Sequence, residues 1–349
     1  MTGESLLYSE EAEALRSSVR AMLAQHCTWQ DVLARTESDD TAEHVWRRLA
    51  GDLGCVGLPW AEAAVVAEEL GRTVADVPYL TSGVIATHLV EALDDPSYAA
   101  LTEGGQIAAL TVPWASPVGE FLGDISLVGD LVHGTVRLVA GALGAAVLLV
   151  PVGDSLVAVD AASASIEPAV SFDMTRPLAD VTFDGSPSRL VASGPQVAEA
   201  LVRAGHIGVA MLAAEQLGLA ERALEMSVAY AKERRQFGRA IGSYQANKHR
   251  LADIWVRVVE AKAVARHAAA CAAGDLADLP VAASLAKLVC SQLAVDAAGE
   301  LIQIHGGIGI TWEHPAHLYL KRARADAFAL GAGSWHRGEL ARRLDLASR

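Results

Sequence analysis

The chain has 349 residues, of which 52% are hydrophobic and 20% charged, enough apolar material for more than one cored unit. Its formal net charge of −14 argues against general nucleic-acid or anionic-membrane binding, and its longest apolar run, residues 138–152, is too short and too interrupted by glycine and proline to span a bilayer. Cys27, Cys55, Cys271 and Cys290 are scattered without metal-ligand or C-x-x-C spacing, so free buried thiols in a reducing cytoplasm are expected. The first residues carry no secretory signal pattern.

From Glu10 to about Asp95 apolar residues recur at three-and-four spacing, as in EEAEALRSSVRAMLAQH, AEHVWRRLAGDLG and AEAAVVAEELGR, with Gly54 and Gly71 placed as helix stops. Between Gln106 and Ala192 the texture changes to short β-branched runs (QIAALTV, LVHGTVRLV, AAVLLVPV, SLVAVD, ADVTFDG) separated by turn residues. That pattern predicts a small antiparallel β-barrel or sandwich, with residues 138–152 as a buried strand pair. From Pro195 longer helices return. The stripe Leu217, Ala220, Leu224, Val228, Ala231 ends at Arg234. Further helices run from Tyr244 to about Ala273, with Ser243 as N-cap, from about Leu279 to Ile304, and after Glu313 and Gly333. The fold class is α+β: a helical domain (1–105), a β domain (106–192) and a C-terminal helical bundle (193–349).

Arg234, Arg235, Arg239, Lys248 and His249 gather around Phe237-Gly238 in an otherwise acidic chain. Two accounts stand. Cations at a helix C-terminus complement its dipole, with Gly238 as cap; alternatively, a diphosphate lies across the turn, held by a guanidinium over an aromatic floor. In Gln303-Ile304-His305-Gly306-Gly307-Ile308-Gly309, the glycines either stop a helix or let backbone N–H groups approach an anion or flat ring. No His/carboxylate spacing suggests a metal, and no G-x-S-x-G or Cys/His set offers a nucleophile. Asp173-Met174-Thr175-Arg176-Pro177 reads as a hydrogen-bonded corner between strands.

In combination, R-x-x-F-G, Y-Q and Q-x-x-G-G-x-G make the chain resemble the acyl-CoA dehydrogenase family over nearly its whole length, most strongly across residues 213–339. The resemblance implies an oxidoreductase that oxidises the α–β bond of acyl-CoA with FAD, in tetramers whose flavins lie between subunits. It implies that Arg234 pairs with the FAD diphosphate and Phe237 packs on the cofactor. Gln245 and Gln303 hydrogen-bond to FAD, and Gly306 and Gly307 let the backbone come close. Electron-transfer flavoprotein is the family's usual acceptor.

The chain also departs from the family. The glutamate expected before Gly-Thr/Ser is Ala332, and the alternative position on the first long helix of the bundle falls near Gly208. Glu215 is a weak substitute, about two turns further on. A Thr-Glu-Pro-type loop that grips flavin and thioester is replaced by LTVPWASPVGEFLGD, and a glycine-rich loop is trimmed at VGLPWAEAAVVAEELG. The resemblance is therefore to the short, non-catalytic subunit of heteromeric, steroid side-chain type acyl-CoA dehydrogenases. A full-length partner in an α₂β₂ heterotetramer would hold most of the acyl-CoA. The alternatives are a self-sufficient homotetramer with an unusual base, or a flavin-free scaffold.

Overall fold

Side-chain caps fix the first helices. Ser9 accepts from Ala12 N to open α1 (Glu10–His26), and Thr28 makes a capping box with Asp31 at the start of α2 (Trp29–Arg35). The structure is a computed structural model describing residues 7–38, 42–95, 98–120, 124–274 and 276–346. α3 (Glu43–Arg47) continues into a π-helical stretch, Arg48–Asp52, and the expected stop at Gly54 has φ +60. α4 (Trp60–Thr73) does not stop at Gly71; Val74, at φ +50, follows its last residue. A second π-helical stretch, Tyr79–Ala86, runs into α5 (Thr87–Ala92), and α6 (Ala99–Thr102) precedes the sheet.

The β region contains β1 (Ala108–Leu110), β2 (Asp124–Val128), β3 (Leu131–Ala140), β4 (Val147–Val152), β5 (Ser155–Asp160), β6 (Ser165–Ala169) and β7 (Leu178–Ser193). Their order is β1-β4-β5-β7-β3-β2, with β6 also on β7. Pairing is antiparallel except between β1 and β4, which are parallel. β7 serves both layers: Leu178–Pro187 pairs with β3 and its last residues pair with β5. Residues 138–152 are not a strand pair; they hold the end of β3 and all of β4, which both feed a core of Val136, Val139, Leu148, Val150, Val181 and Phe183.

α7 (Pro195–Glu233) follows, with proline in its first turn where a missing N–H costs nothing. A two-strand hairpin, β8 (Arg235–Gln236) and β9 (Arg239–Ala240), leads to α8 (Gln245–Ala273), α9 (Leu279–His305), α10 (Ala316–Asp326) and α11 (Gly333–Arg343). Ser243 does not cap α8; its hydroxyl donates to Ala240 O. A second core joins the N-terminal helices to α7–α10. At the crossing of α4 and α7, a Cβ on Gly71 would strike the Glu215 carbonyl and one on Gly218 would strike that of Glu68, so reciprocal glycines bring the two backbones into contact. α7 and α9 are long and apolar enough to cross a membrane, but 78% and 61% of their apolar windows are buried in the protein, as core helices are.

Candidate functional site

The cationic junction is a hairpin rather than a helix cap. Arg234 leaves α7 at ψ 126 with its N–H still on Tyr230 O at 2.8 Å. Arg235–Gln236 then pairs back on Arg239–Ala240 through Phe237 (φ +51) and Gly238 (φ +81), the sign pattern of a type I′ turn. Gly238 thus supplies the second turn residue and does not cap the helix. A phenylalanine with positive φ is strained, and this one is 93% exposed, so no packing within the chain holds it there. The hairpin is braced by Tyr244 Oη donating to Gln236 O, by Ile241 N on Arg234 O, and by Arg239 stacked 3.8 Å from the Tyr244 ring centroid. Among the described residues, Arg234, Arg235, Arg239 and Lys248 have no carboxylate within ion-pair distance. Gln245, in the first turn of α8, is exposed beside them.

α9 ends at His305, and Gly306 (φ +62) turns the chain into a 3₁₀ segment, Gly306–Ile310. A Cβ on Gly306 or Gly307 would meet open space, whereas one on Gly309 would press on Ile302 O and His305 Cβ. Packing within the chain therefore explains Gly309 but not Gly306 or Gly307. Gln303 is exposed on the last turn of α9. The two motifs, far apart in sequence, are joined by stacked rings: Tyr230 on His305 at 4.2 Å and His305 on His314 at 4.3 Å. Burial lowers the pKa of His305 and takes that of His314 down to about 4, so the stack is neutral at pH 7. Sequence reading missed this brace, because aromatic residues at 230, 305 and 314 share no local pattern.

The expected base positions hold no carboxylate. Ala332 is the N-cap of α11. A Cβ on Gly208 would already crowd the Ile85 side chain at 2.8 Å and Leu330 at 3.3 Å. Leu110, Val112 and Trp114, from the stretch replacing the Thr-Glu-Pro-type loop, converge there with Ile85, Gly205 and Leu330 around a space of about 20 Å³. That is room for about one water.

Glu215 is 4% exposed, and both of its oxygens receive guanidinium N–H groups. Oε1 takes Arg322 Nη1 and Arg176 Nη2, and Oε2 takes Arg176 Nη2, all at 2.7 Å. Burial alone would raise its pKa, but Arg176 and Arg322 outweigh burial and hold it below 4.5. A carboxylate so engaged is a structural counter-ion and not the free base the sequence offered as a weak candidate. The corner Asp173–Arg176 belongs to the same node. Arg322, 1% exposed, donates to Asp173 Oδ2 at 2.7 Å, to Thr175 and to Ala75 O. Arg176 also reaches Asp326 Oδ1 at 2.6 Å, and Lys287 Nζ donates to Asp326 O. Burial pushes Asp326 up to about 7 and Lys287 down to about 7.

Comparison with known proteins accounts for this architecture. Residues 203–345 match the family model described as acyl-CoA dehydrogenase, C-terminal domain. The chain is 35% identical over 335 residues to acyl-CoA dehydrogenase IpdE2 of Mycolicibacterium smegmatis, covering 93% of this chain and 95% of that one. Among solved structures, a chain of the ChsE4–ChsE5 complex from Mycobacterium tuberculosis superposes with TM-score 0.85 at 24% identity, covering 99% of this chain and 100% of that one. A chain of the Tcur3481–Tcur3483 steroid ACAD G363A variant superposes with TM-score 0.83 at 29% identity, covering 97% and 99%. The chain belongs to the acyl-CoA dehydrogenase family, whose members are FAD-dependent oxidoreductases acting on CH–CH bonds. Of the two ends of FAD, the residues present suit the anionic one: exposed guanidiniums and open glycine backbone are groups of the kind that bind phosphate oxygens, while the space of about 20 Å³ beside Trp114 is smaller than a flavin ring.

Proposed function

Taking that membership as the premise, we propose that the chain is the non-catalytic subunit of a heteromeric acyl-CoA dehydrogenase. It lends a diphosphate and adenine half-site to flavin seated in a full-length partner. The observation that carries this reading is an asymmetry. The outward-facing hairpin and glycine turn are open and electrostatically unsatisfied, whereas the inward space beside Trp114, Gly208 and Leu330 is filled and lacks an acid. Exposed apolar side chains around the half-site and along α8, including Phe237, Trp255, Val259 and Ile310, suit a subunit contact.

In this reading Arg234 binds the diphosphate, Phe237 packs on the cofactor, Gln245 and Gln303 hydrogen-bond to it, and Gly306 and Gly307 admit it. The partner supplies the base, the ring pocket and most of the acyl-CoA site, in an α₂β₂ heterotetramer. Electrons leave to an electron-transfer flavoprotein. The three regions of the sequence are read as domains that share the helical core, and the four buried free thiols suit a reducing cytoplasm. The Tcur3481–Tcur3483 relative is a steroid ACAD, which makes a steroid-bearing acyl-CoA the first substrate class to try.

The test is flavin absorbance per chain, with native mass, for the chain alone and co-expressed with a full-length homologue. A colourless lone chain and one FAD per heterodimer are expected. A yellow homotetramer with one FAD per chain that turns over acyl-CoA would overturn the proposal.

A further inference from the structure

A cavity of about 440 Å³ lies between the N-terminal helices and the β region, apart from the flavin half-site. α2 contributes Arg35, the stretch after α4 contributes Asp76, and the β6–β7 connection contributes Met174 and Arg176. Its volume falls in the range of small-molecule sites. Two guanidiniums line it, and the fold has already engaged most of their N–H groups. Arg35, 8% exposed, donates from Nε to Asp76 Oδ2 at 2.6 Å, and from Nη2 to Asp76 Oδ1 at 2.7 Å and to Cys27 Sγ at 3.4 Å. Arg176 gives Nη1 to Asp326 and Nη2 to Glu215. Arg35 Nη1 and Arg176 Nε remain; neither has a partner among the described residues, and neither is sealed from solvent. The two arginines belong to one wall. Arg322 Nη2 donates to both Ala75 O, at 3.2 Å, and Thr175 O, at 2.8 Å, which sets their chain neighbours Asp76 and Arg176 side by side.

We propose that this cavity binds a neutral small molecule with an apolar body and a carbonyl oxygen, which accepts from Arg35 Nη1 with Arg176 Nε as the neighbouring donor. Leu80, Ile107, Leu143 and Met174 wall the apolar body. Charge selects against an anion. Arg35 is already matched by Asp76, and Arg176 by Glu215 and Asp326. An added negative charge would therefore meet no unbalanced cation and would lose its hydration against apolar walls. A cation is disfavoured because the free groups are donors. A hydrocarbon is disfavoured as well, since by displacing water it leaves both donors without an acceptor. A carbonyl oxygen, with two lone pairs and no net charge, meets each condition. The proposal does not depend on the flavin reading.

The probe is acetophenone, with ethylbenzene, which lacks the oxygen, and benzoate, which adds a charge, as comparisons. Each is titrated calorimetrically into the full-length chain in whatever assembly it is isolated. Saturable binding of acetophenone, one per chain, is expected, tighter by about tenfold or more than that of ethylbenzene or benzoate. Met174→Trp fills the cavity from a half-buried residue that packs in neither hydrophobic core, so it should abolish binding while circular dichroism stays that of the parent. Arg35→Lys keeps a cation opposite Asp76 but removes Nη1, and should weaken acetophenone about tenfold. If one variant does not fold, the other variant and the three-ligand comparison still decide. Absence of saturable acetophenone binding, equally tight binding of ethylbenzene or benzoate, or unchanged acetophenone affinity in a folded Met174→Trp or Arg35→Lys overturns the site.

Discussion

Arginines do opposite work in two parts of this protein. At the junction of Asp173, Arg176, Glu215, Lys287, Arg322 and Asp326, a half-buried arginine and five buried ionisable side chains tie the β6–β7 connection to α7, α9 and α10. Around Phe237, Arg234, Arg235 and Arg239 are exposed and have no carboxylate partner among the described residues, on a hairpin whose turn residue is strained. The first set is paired inside the chain, with Asp326 Oδ2 alone left without a hydrogen bond, so its role is cohesion. The second is unsatisfied, so its role lies with something outside. The number of arginines does not distinguish the two sites; how their N–H groups are partnered does.

The sharpest test of this contrast is Arg322→Ala. It removes the guanidinium from buried Asp173 and leaves Glu215 with Arg176 alone, and should cost about 3–5 kcal/mol, read by chemical denaturation of the isolated chain. A loss under about 1 kcal/mol would mean that the node is not cohesive. Glu215→Gln should cost less, about 2–3 kcal/mol at neutral pH, because the amide still offers one acceptor. It also carries a pH signature. Glu215 has its folded pKa held below 4.5, so its stabilisation is fully present above the unfolded value and is lost as pH falls through the folded one. Parent and variant should therefore converge in stability on acidification below about pH 4.5, and a difference that persists would locate the effect in packing.

Arg234→Ala should leave the stability of the lone chain within about 0.5 kcal/mol. In the heteromer it should weaken FAD retention by about tenfold or more, measured by flavin release on dilution. Normal retention would return the hairpin cations to the simple role of helix-end complement. Phe237→Asn is expected to have the smallest effect on the fold. It places a residue tolerant of positive φ before Gly238 and should raise chain stability by up to about 0.5 kcal/mol while weakening flavin retention. Loss of both stability and flavin would show that Phe237 packs within its own subunit.

Much of the candidate half-site was legible because its chemistry is local. Arg234, Phe237, Gln245, Gln303, Gly306 and Gly307 fall in two short segments whose spacing is specific in combination. The glycine assignments were only partly legible. Gly238 belongs to a hairpin turn, and Gly71 marks a helix crossing whose partner, the Glu215 carbonyl, lies more than a hundred residues away. Strands β2 and β6 were not anticipated because each pairs with a single neighbour and has only exposed and half-buried positions, leaving little hydrophobic signal.

The sequence by itself determined the helix–sheet–helix order, the identities Ala332 and Gly208 where a glutamate was looked for, and the two short motifs proposed as a flavin half-site. Each depends on period, residue identity or short-range spacing, which are properties of the chain. Only the tertiary structure decided that Glu215 is neutralised by two arginines and that Ile85, Trp114 and Leu330 close the inner space. Those outcomes turn on whether a polar group finds a partner or a cavity finds a filler, and the groups concerned come from helices and strands brought together only by folding.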